Sequence, residues 1–162
     1  MPRDKPQDLV VRLPVLDRLL DDDPDTSREA PRSPHQALRL VIEAVRRDLQ
    51  DLLNCRQVWI DEELSKLEEV SHSIAAFGLS DFTAENLTTS DSRKRLQREI
   101  ETAIKTFEPR LVRVRVIPEP MQPYERHVRF RIDAMLRADP IQEPVSFDTV
   151  LASGGETKVV AV

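Results

Sequence analysis

The segment Thr106-Phe107-Glu108-Pro109-Arg110-Leu111 constrains this chain most, because two periodicities meet in it. Before it, apolar residues recur at helical spacing. After it, Val112, Val114 and Val116 alternate with Arg113 and Arg115, the period of a strand with its valines on one face. Pro109 stops the helix and pushes Glu108 toward extended geometry. A carboxylate and a guanidinium therefore sit at a stiff joint between two elements. Residues i and i+2 of an extended chain project to one side, so Glu108 and Arg110 either pair with each other or reach together toward neighbours. One reading is a salt bridge that clamps helix to strand. The other is a preset charged contact for another subunit.

The elements on either side follow from pattern. Ser33 as N-cap, Pro34 at the first helical position and Gln36 as capping-box partner predict a helix from Pro34 to Asn54. Its stripe is Leu38, Val41, Ile42, Val45, Leu49, Leu52 and Leu53, with Glu43, Arg46, Arg47 and Gln50 facing away. A second helix begins near Ser90 or Asp91, both suitable caps, and buries Leu96, Ile100, Ala103, Ile104 and Phe107. Arg93, Lys94, Arg95 and Arg98 crowd its first half against the helix dipole; they form either a binding face or a solvated one. Residues 58–87 allow two readings. One is an irregular helix ending near Gly78 as its C′ residue; the other is a shorter helix after an extended piece. The loop after Gly78 is pinned by Leu79, Phe82 and Leu87.

The C-terminal third reads as a sheet, with strands at about Leu111–Ile117, His127–Ala138 and Val145–Leu151 and a short fourth at Lys158–Ala161. Pro118, Pro120 and Pro123 force the first connection, and Gly154-Gly155 signals a turn. A sheet with one apolar face needs cover, which the two helix stripes supply. The expected fold class is α+β: a two-layer domain with an antiparallel three- or four-stranded sheet covered on one face by helices. Residues 1–34, with six prolines and the run Asp21-Asp22-Asp23, read as an extended N-terminal arm, and 35–162 as the domain. Within the arm, Val15, Leu16, Leu19 and Leu20 line one side of a short helix. A helix that short needs a surface, either on its own domain or on a partner's groove.

Composition narrows the function. One cysteine, Cys55, excludes an intrachain disulfide and a Cys-rich zinc site, and it reads as a semi-buried thiol at a helix end. His35, His72 and His127 lack metal-ligand spacing. Ser153-Gly154-Gly155 lacks the lysine of a phosphate loop, and Trp59 reads as a core or rim anchor. The net charge of -5 and only seven aromatic residues argue against a nucleic-acid binder. No apolar run approaches the roughly 20 residues of a membrane span, and Met1–Asp8 has no signal core. The expectation is a cytoplasmic protein without cofactor, metal or direct membrane insertion.

Five segments occur in a recognisable order. They are Val15-Leu16-Asp17-Arg18-Leu19; Val45-Arg46-Arg47-Asp48-Leu49 with Leu52-Leu53-Asn54 and Arg56; Phe77-Gly78-Leu79-Ser80-Asp81-Phe82; Phe107-Glu108-Pro109-Arg110-Leu111; and Val145-Ser146-Phe147-Asp148-Thr149. Over about Val15 to Leu151 the chain resembles the TssE-type baseplate subunits of type VI secretion systems. It keeps their Glu-Pro-Arg motif unchanged and departs from their pattern at Phe77 and Ser80. TssE proteins are similar to a contractile-phage baseplate wedge protein once labelled a lysozyme. The resemblance implies a cytoplasmic place at the membrane-docked baseplate, beside TssF, TssG and TssK. It also implies a structural role in which strands are presented to start polymerisation of the TssB and TssC sheath. The implied contact residues are Glu108, Pro109 and Arg110.

The residues add their own candidates. Arg113, Arg115, Arg129 and Arg131 would share the open face of the sheet, where like charges repel unless carboxylates such as Asp133 or Glu125, or a partner's, intervene. Such a face is either an orienting surface for an added strand or simply solvated. Leu16, Leu19 and Leu20 are the docking candidates of the arm. The rival class is a lysozyme-like peptidoglycan hydrolase, which needs two carboxylates across a cleft, one holding a proton. Arg110 is a poor neighbour for such an acid, and aromatic platforms for sugar are scarce. The chain is therefore read as no enzyme. A third class, an adaptor unrelated to secretion, keeps the arm and sheet but needs no baseplate partners.

Overall fold

The structure, a computed structural model, describes residues 11, 15, 19, 33–58, 63, 67–82, 89–120, 127–139, 141–152 and 157–162. Helix α1 spans Pro34–Asn54. The Ser33 hydroxyl accepts from the Gln36 N–H at 3.3 Å, and the Gln36 side chain accepts from the Ser33 N–H at 2.9 Å. Two otherwise orphan donors are thereby satisfied. Val41, Val45, Leu49, Leu52 and Leu53 are buried as their spacing predicts, joined by Ala37 and Ala44, with Leu38 and Ile42 at the margin. Arg46 and Gln50 do not face away. The Arg46 guanidinium donates to the Gln50 side chain at 3.0 Å and, beyond it, to the Val159 carbonyl at 3.2 Å. Val11, inside the segment read as an arm, is buried in the core.

After α1 the chain is extended at Arg56, which bridges in parallel to Leu79. A single turn, α2, follows at Glu68–Ser71, then a 3-10 turn at Ile74–Ala76. The shorter-helix reading of this region is the one that fits. Gly78 comes directly after the C-cap of the 3-10 turn, with φ at 108°. A Cβ there would lie 2.5 Å from the Cys55 carbonyl oxygen, so both backbone angle and space demand glycine. Leu79 and Phe82 are buried and hold the loop to the core. Leu87 and Trp59 lie outside the described residues. Cys55 is exposed, not semi-buried, because it caps the helix where the chain leaves the core.

Helix α3 spans Ser90–Phe107. Its cap is Thr89, one residue before the expected position, whose hydroxyl accepts from the Ser92 N–H at 3.3 Å. Leu96, Ile100, Ala103 and Ile104 are buried, and half-buried Phe107 meets Phe77 edge to face at 5.3 Å between centroids.

The sheet is an antiparallel meander in the order β1-β2-β3-β4, comprising β1 Leu111–Pro118, β2 His127–Ala138, β3 Ile141–Ala152 and β4 Lys158–Ala161. β3 starts at Ile141 rather than near Val145. Pro144 argues against a strand from sequence, but β4 pairs only with Phe147–Val150, so at Pro144 the strand has no neighbour on that side. β1 departs from simple alternation. Its register shifts between Val112 and Arg115, and Arg113 has φ at 55°. Arg113 and Val114 together oppose one residue of β2, a bulge that swaps the faces. Leu111, Val114 and Val116 are buried while Val112 is not, so the valines do not share one face. Phe130, Ile132, Leu136, Phe147 and Leu151 meet α1 and α3 in the core between the layers. Each such side chain contributes about 1.5–3 kcal/mol by leaving water. No helix among the described residues is long and apolar enough to cross a membrane.

Candidate assembly interface

Glu108 is the C-cap of α3: its N–H donates to the Ile104 carbonyl at 2.9 Å. Its own carbonyl accepts from the Leu111 N–H at 3.1 Å, closing a four-residue turn with Pro109 and Arg110 at its centre. Proline suits the second position of such a turn because its φ is already set. The turn, rather than an extended chain, brings the two charged side chains together. The Arg110 Nε donates to Glu108 Oε1 at 2.6 Å while its Nη2 donates to Glu108 Oε2, a two-pronged pair. The Arg110 N–H adds a bond to the same carboxylate at 3.2 Å.

Arg110 also reaches Asp48 of α1, so one guanidinium joins the helix–strand joint to the other helix. Glu108 is only 4% exposed. A carboxylate so buried needs a partner, and the chain provides it. The Glu108 hydrogen bond, opposed by burial and supported by the charges of Glu108 and Asp48, raises the Arg110 guanidinium further above its ordinary value. Of the two sequence readings, the clamp is what the geometry makes. Asp48 escaped sequence reasoning although it lies inside a quoted motif, because nothing local ties it to a residue 62 positions away. Pro109 is exposed on a ridge between two hollows. One, of about 470 Å³, is floored by Leu52, Phe77 and Phe107; the other, of about 530 Å³, lies toward Arg137 and Ile141.

The rim of the sheet is built differently. The Val162 N–H donates to the Ser146 carbonyl at 3.0 Å, so Lys158, Val160 and Val162 face β3. By the alternation of antiparallel pairing, Thr157, Val159 and Ala161 turn their backbone groups outward. Asn54 at the end of α1 seals the first of these. Its side chain accepts from the Thr157 N–H at 2.7 Å and donates to the Thr157 carbonyl at 3.0 Å. Arg46 takes the Val159 carbonyl. Among the described residues nothing takes the outward N–H of Val159 or either outward group of Ala161, and Val160 and Val162 beside them are exposed.

The opposite rim, β1, is blunted. The Gln97 side chain donates to the Val116 carbonyl at 2.8 Å, the bulge lies at Arg113, and Pro118 has no N–H to offer.

The predicted contact residues are thus dispersed. Arg115, Arg129 and Arg131 lie on the open face, and Arg113 is exposed in the bulge. Arg131 holds Asp148 at 3.1 Å and Glu119 at 3.5 Å, and Arg129 reaches the His127 ring at 3.2 Å. Asp133, across from Arg115, accepts from the Ser146 hydroxyl at 2.8 Å. Of the intervening carboxylates expected from sequence, Asp133 lies across from Arg115 and Glu125 lies outside the described residues; the ion pairs are made instead by Asp148 and Glu119 with Arg131. Leu19 is helical and 76% exposed, as is its neighbour in the pattern, Val15, at 66%. Leu16 and Leu20 lie outside the described residues. Among the described residues no group of three or more His, Cys, Asp or Glu side chains is placed to hold a metal.

A family model described as baseplate wedge protein gp25 matches residues 40–141, from α1 through the Glu108–Arg110 joint to the start of β3. The chain belongs to the baseplate wedge protein gp25 family. This is the family of the TssE proteins, and its members are structural components of phage-tail-like baseplates. No curated protein and no solved structure matches the chain. The family match contains the whole clamp, Asp48 included, and stops short of β4.

Proposed function

We propose that this chain is the TssE-type subunit of a type VI secretion baseplate, joining the TssF–TssG–TssK wedge to the TssB–TssC sheath at the cytoplasmic side. In this reading the clamp fixes the orientation of sheet against helices, and the sheath starts by adding a strand to β4. The observation that carries it is the outward N–H of Val159 and the outward N–H and carbonyl of Ala161, which have no partner among the described residues. An added strand satisfies such groups directly. The rim of β1 is the weaker acceptor because bulge, proline and Gln97 all interrupt it. Arg113, Arg115, Arg129 and Arg131, expected from sequence to orient the arriving segment, lie on β1 and β2 and do not border β4, so strand addition rests on backbone groups, and the exposed Leu19 of the arm docks on the wedge.

What supports a role without catalysis is that both Glu108 oxygens are held by Arg110, which leaves no free carboxyl at the joint. A purified sample that degrades peptidoglycan, and loses this on Glu108→Gln with the fold intact, makes the protein a hydrolase instead.

The test of strand addition is Ala161→Pro. The outward N–H of Ala161 is replaced without touching a bond to β3, so the fold survives. Co-purification of TssF, TssG and TssK is expected to persist while capture of TssB–TssC is lost. Retention of the sheath subunits by this variant contradicts addition at β4. Absence of all five partners from the wild-type preparation contradicts the baseplate reading itself.

A further inference from the structure

The open face of the sheet divides into unlike halves. On the β2–β3 side Arg131 is matched within the chain by Asp148 and Glu119, and Asp133 accepts from the Ser146 hydroxyl. On β1 and the end of β2, Arg113, Arg115 and Arg137 are exposed, and among the described residues none has a carboxylate within ion-pair distance. Asp139 lines the same hollow as Arg137 without pairing with it. The three arginines lie around Val112 and Met135, which face each other across β1 and β2 and are half-buried.

Arg113 carries a second, independent signal. Its φ of 55° places it in the left-handed region, where Cβ crowds the backbone and where a bulge commonly has glycine. That conformation costs free energy, and no described group of the chain engages the Arg113 side chain to offset it.

We propose that Arg113, Arg115 and Arg137, with Val112 and Met135 between them, form a docking surface for an acidic segment of a neighbouring protein. Charge complementarity selects this occupant. Three cations outnumber the carboxylates near them, Asp133 across from Arg115 and Asp139 beside Arg137, neither of which pairs with them, and carboxylates from outside both reduce the remaining repulsion and match the fork of a guanidinium. The apolar floor takes a side chain from the same segment. The apolar floor favours a peptide, which brings side chains to cover it, over nucleic acid as the occupant. The inference rests on the baseplate reading only in taking the partner to be a protein.

The surface is tested on the isolated chain with labelled octaglutamate and, separately, a single-stranded DNA octamer at low salt. The proteins are wild type, Arg113→Gly, the triple variant Arg113→Gly/Arg115→Ala/Arg137→Ala, and Arg131→Ala, each with a melting curve. Wild type is expected to bind octaglutamate, the triple variant at least about tenfold more weakly, and Arg131→Ala as wild type does. Arg113→Gly is expected to melt no lower than wild type and up to about 4 °C higher, because relief of the strained φ offsets the added freedom of an unfolded glycine. The inference is overturned by absent binding in wild type, by equal loss in Arg131→Ala, by tighter binding of the DNA, or by a lower melting point for Arg113→Gly, which would make that side chain structural. Loss of the baseplate partners in a pull-down would instead count against the assembly reading and leave this result standing.

Discussion

At the helix–strand joint every charge has a partner inside the chain, whereas backbone groups face outward at the β4 rim of the sheet and guanidiniums do so on β1 at the other. Glu108 is buried, gripped by Arg110, and tied through it to α1. Val160 and Ala161 are exposed on a strand only four residues long, and so is Val162 just after it. The difference teaches that the most recognisable motif of this chain need not be its contact surface. A buried carboxylate without a partner is strongly destabilising, so the motif is explained by holding two elements in one orientation. The rim has no such internal reason for its form, and in the proposed function a second chain completes it.

That contrast can be broken by mutation. The largest expected effect is Arg110→Ala, which strands Glu108 in the interior and detaches Asp48. Urea denaturation should show a loss of about 3 kcal/mol, with assembly failing only because the fold does. A stable Arg110→Ala protein that no longer assembles would move the joint into the same class as the rim. Next comes Asn54→Ala, which uncovers both backbone groups of Thr157. A loss of about 1–2 kcal/mol is expected, with faster amide exchange in β4 than in β2. Asp48→Asn should cost less, about 0.5–1 kcal/mol, since the Asp48 side chain is 43% exposed and Arg110 keeps Glu108.

The smallest effect is one of pH. The Arg46 hydrogen bond holds the Glu43 carboxyl below the usual carboxylate range. A lowered folded value means that the contribution is present above the unfolded pKa of about 4.3 and is lost as pH falls through the folded one. Below about pH 4, wild type should therefore lose a few tenths of a kcal/mol, given how exposed Glu43 is. Glu43→Gln should not show that loss in an acid titration of stability.

Much of the fold was legible because it is written locally. Ser33, Pro34 and Gln36 state where α1 begins, and the alternation of Val128, Phe130, Ile132, Ala134 and Leu136 states where β2 lies and which way it faces. The features that escaped depend on residues distant in sequence or on backbone choices without a residue signature. Asn54 meets Thr157 across 103 positions, and nothing in either segment announces it. The bulge in β1 is carried by an arginine where a glycine would have advertised the left-handed φ. Pro144 hid the first part of β3, since the short reach of β4 that excuses it is a fact of the assembled sheet. At the joint the pairing of Glu108 with Arg110 was readable from adjacency, and the third member, Asp48, was not.

The central claim is that β4 is an unfinished edge completed by another chain. Amide exchange across β4, in the isolated protein and after addition of TssB–TssC, tests it most directly. The account predicts fast exchange at Val159 and Ala161 alone, slow exchange at Val160, and strong slowing at Ala161 in the complex. Protection of Ala161 in the isolated protein, or an unchanged rate once the sheath subunits are bound, would contradict it.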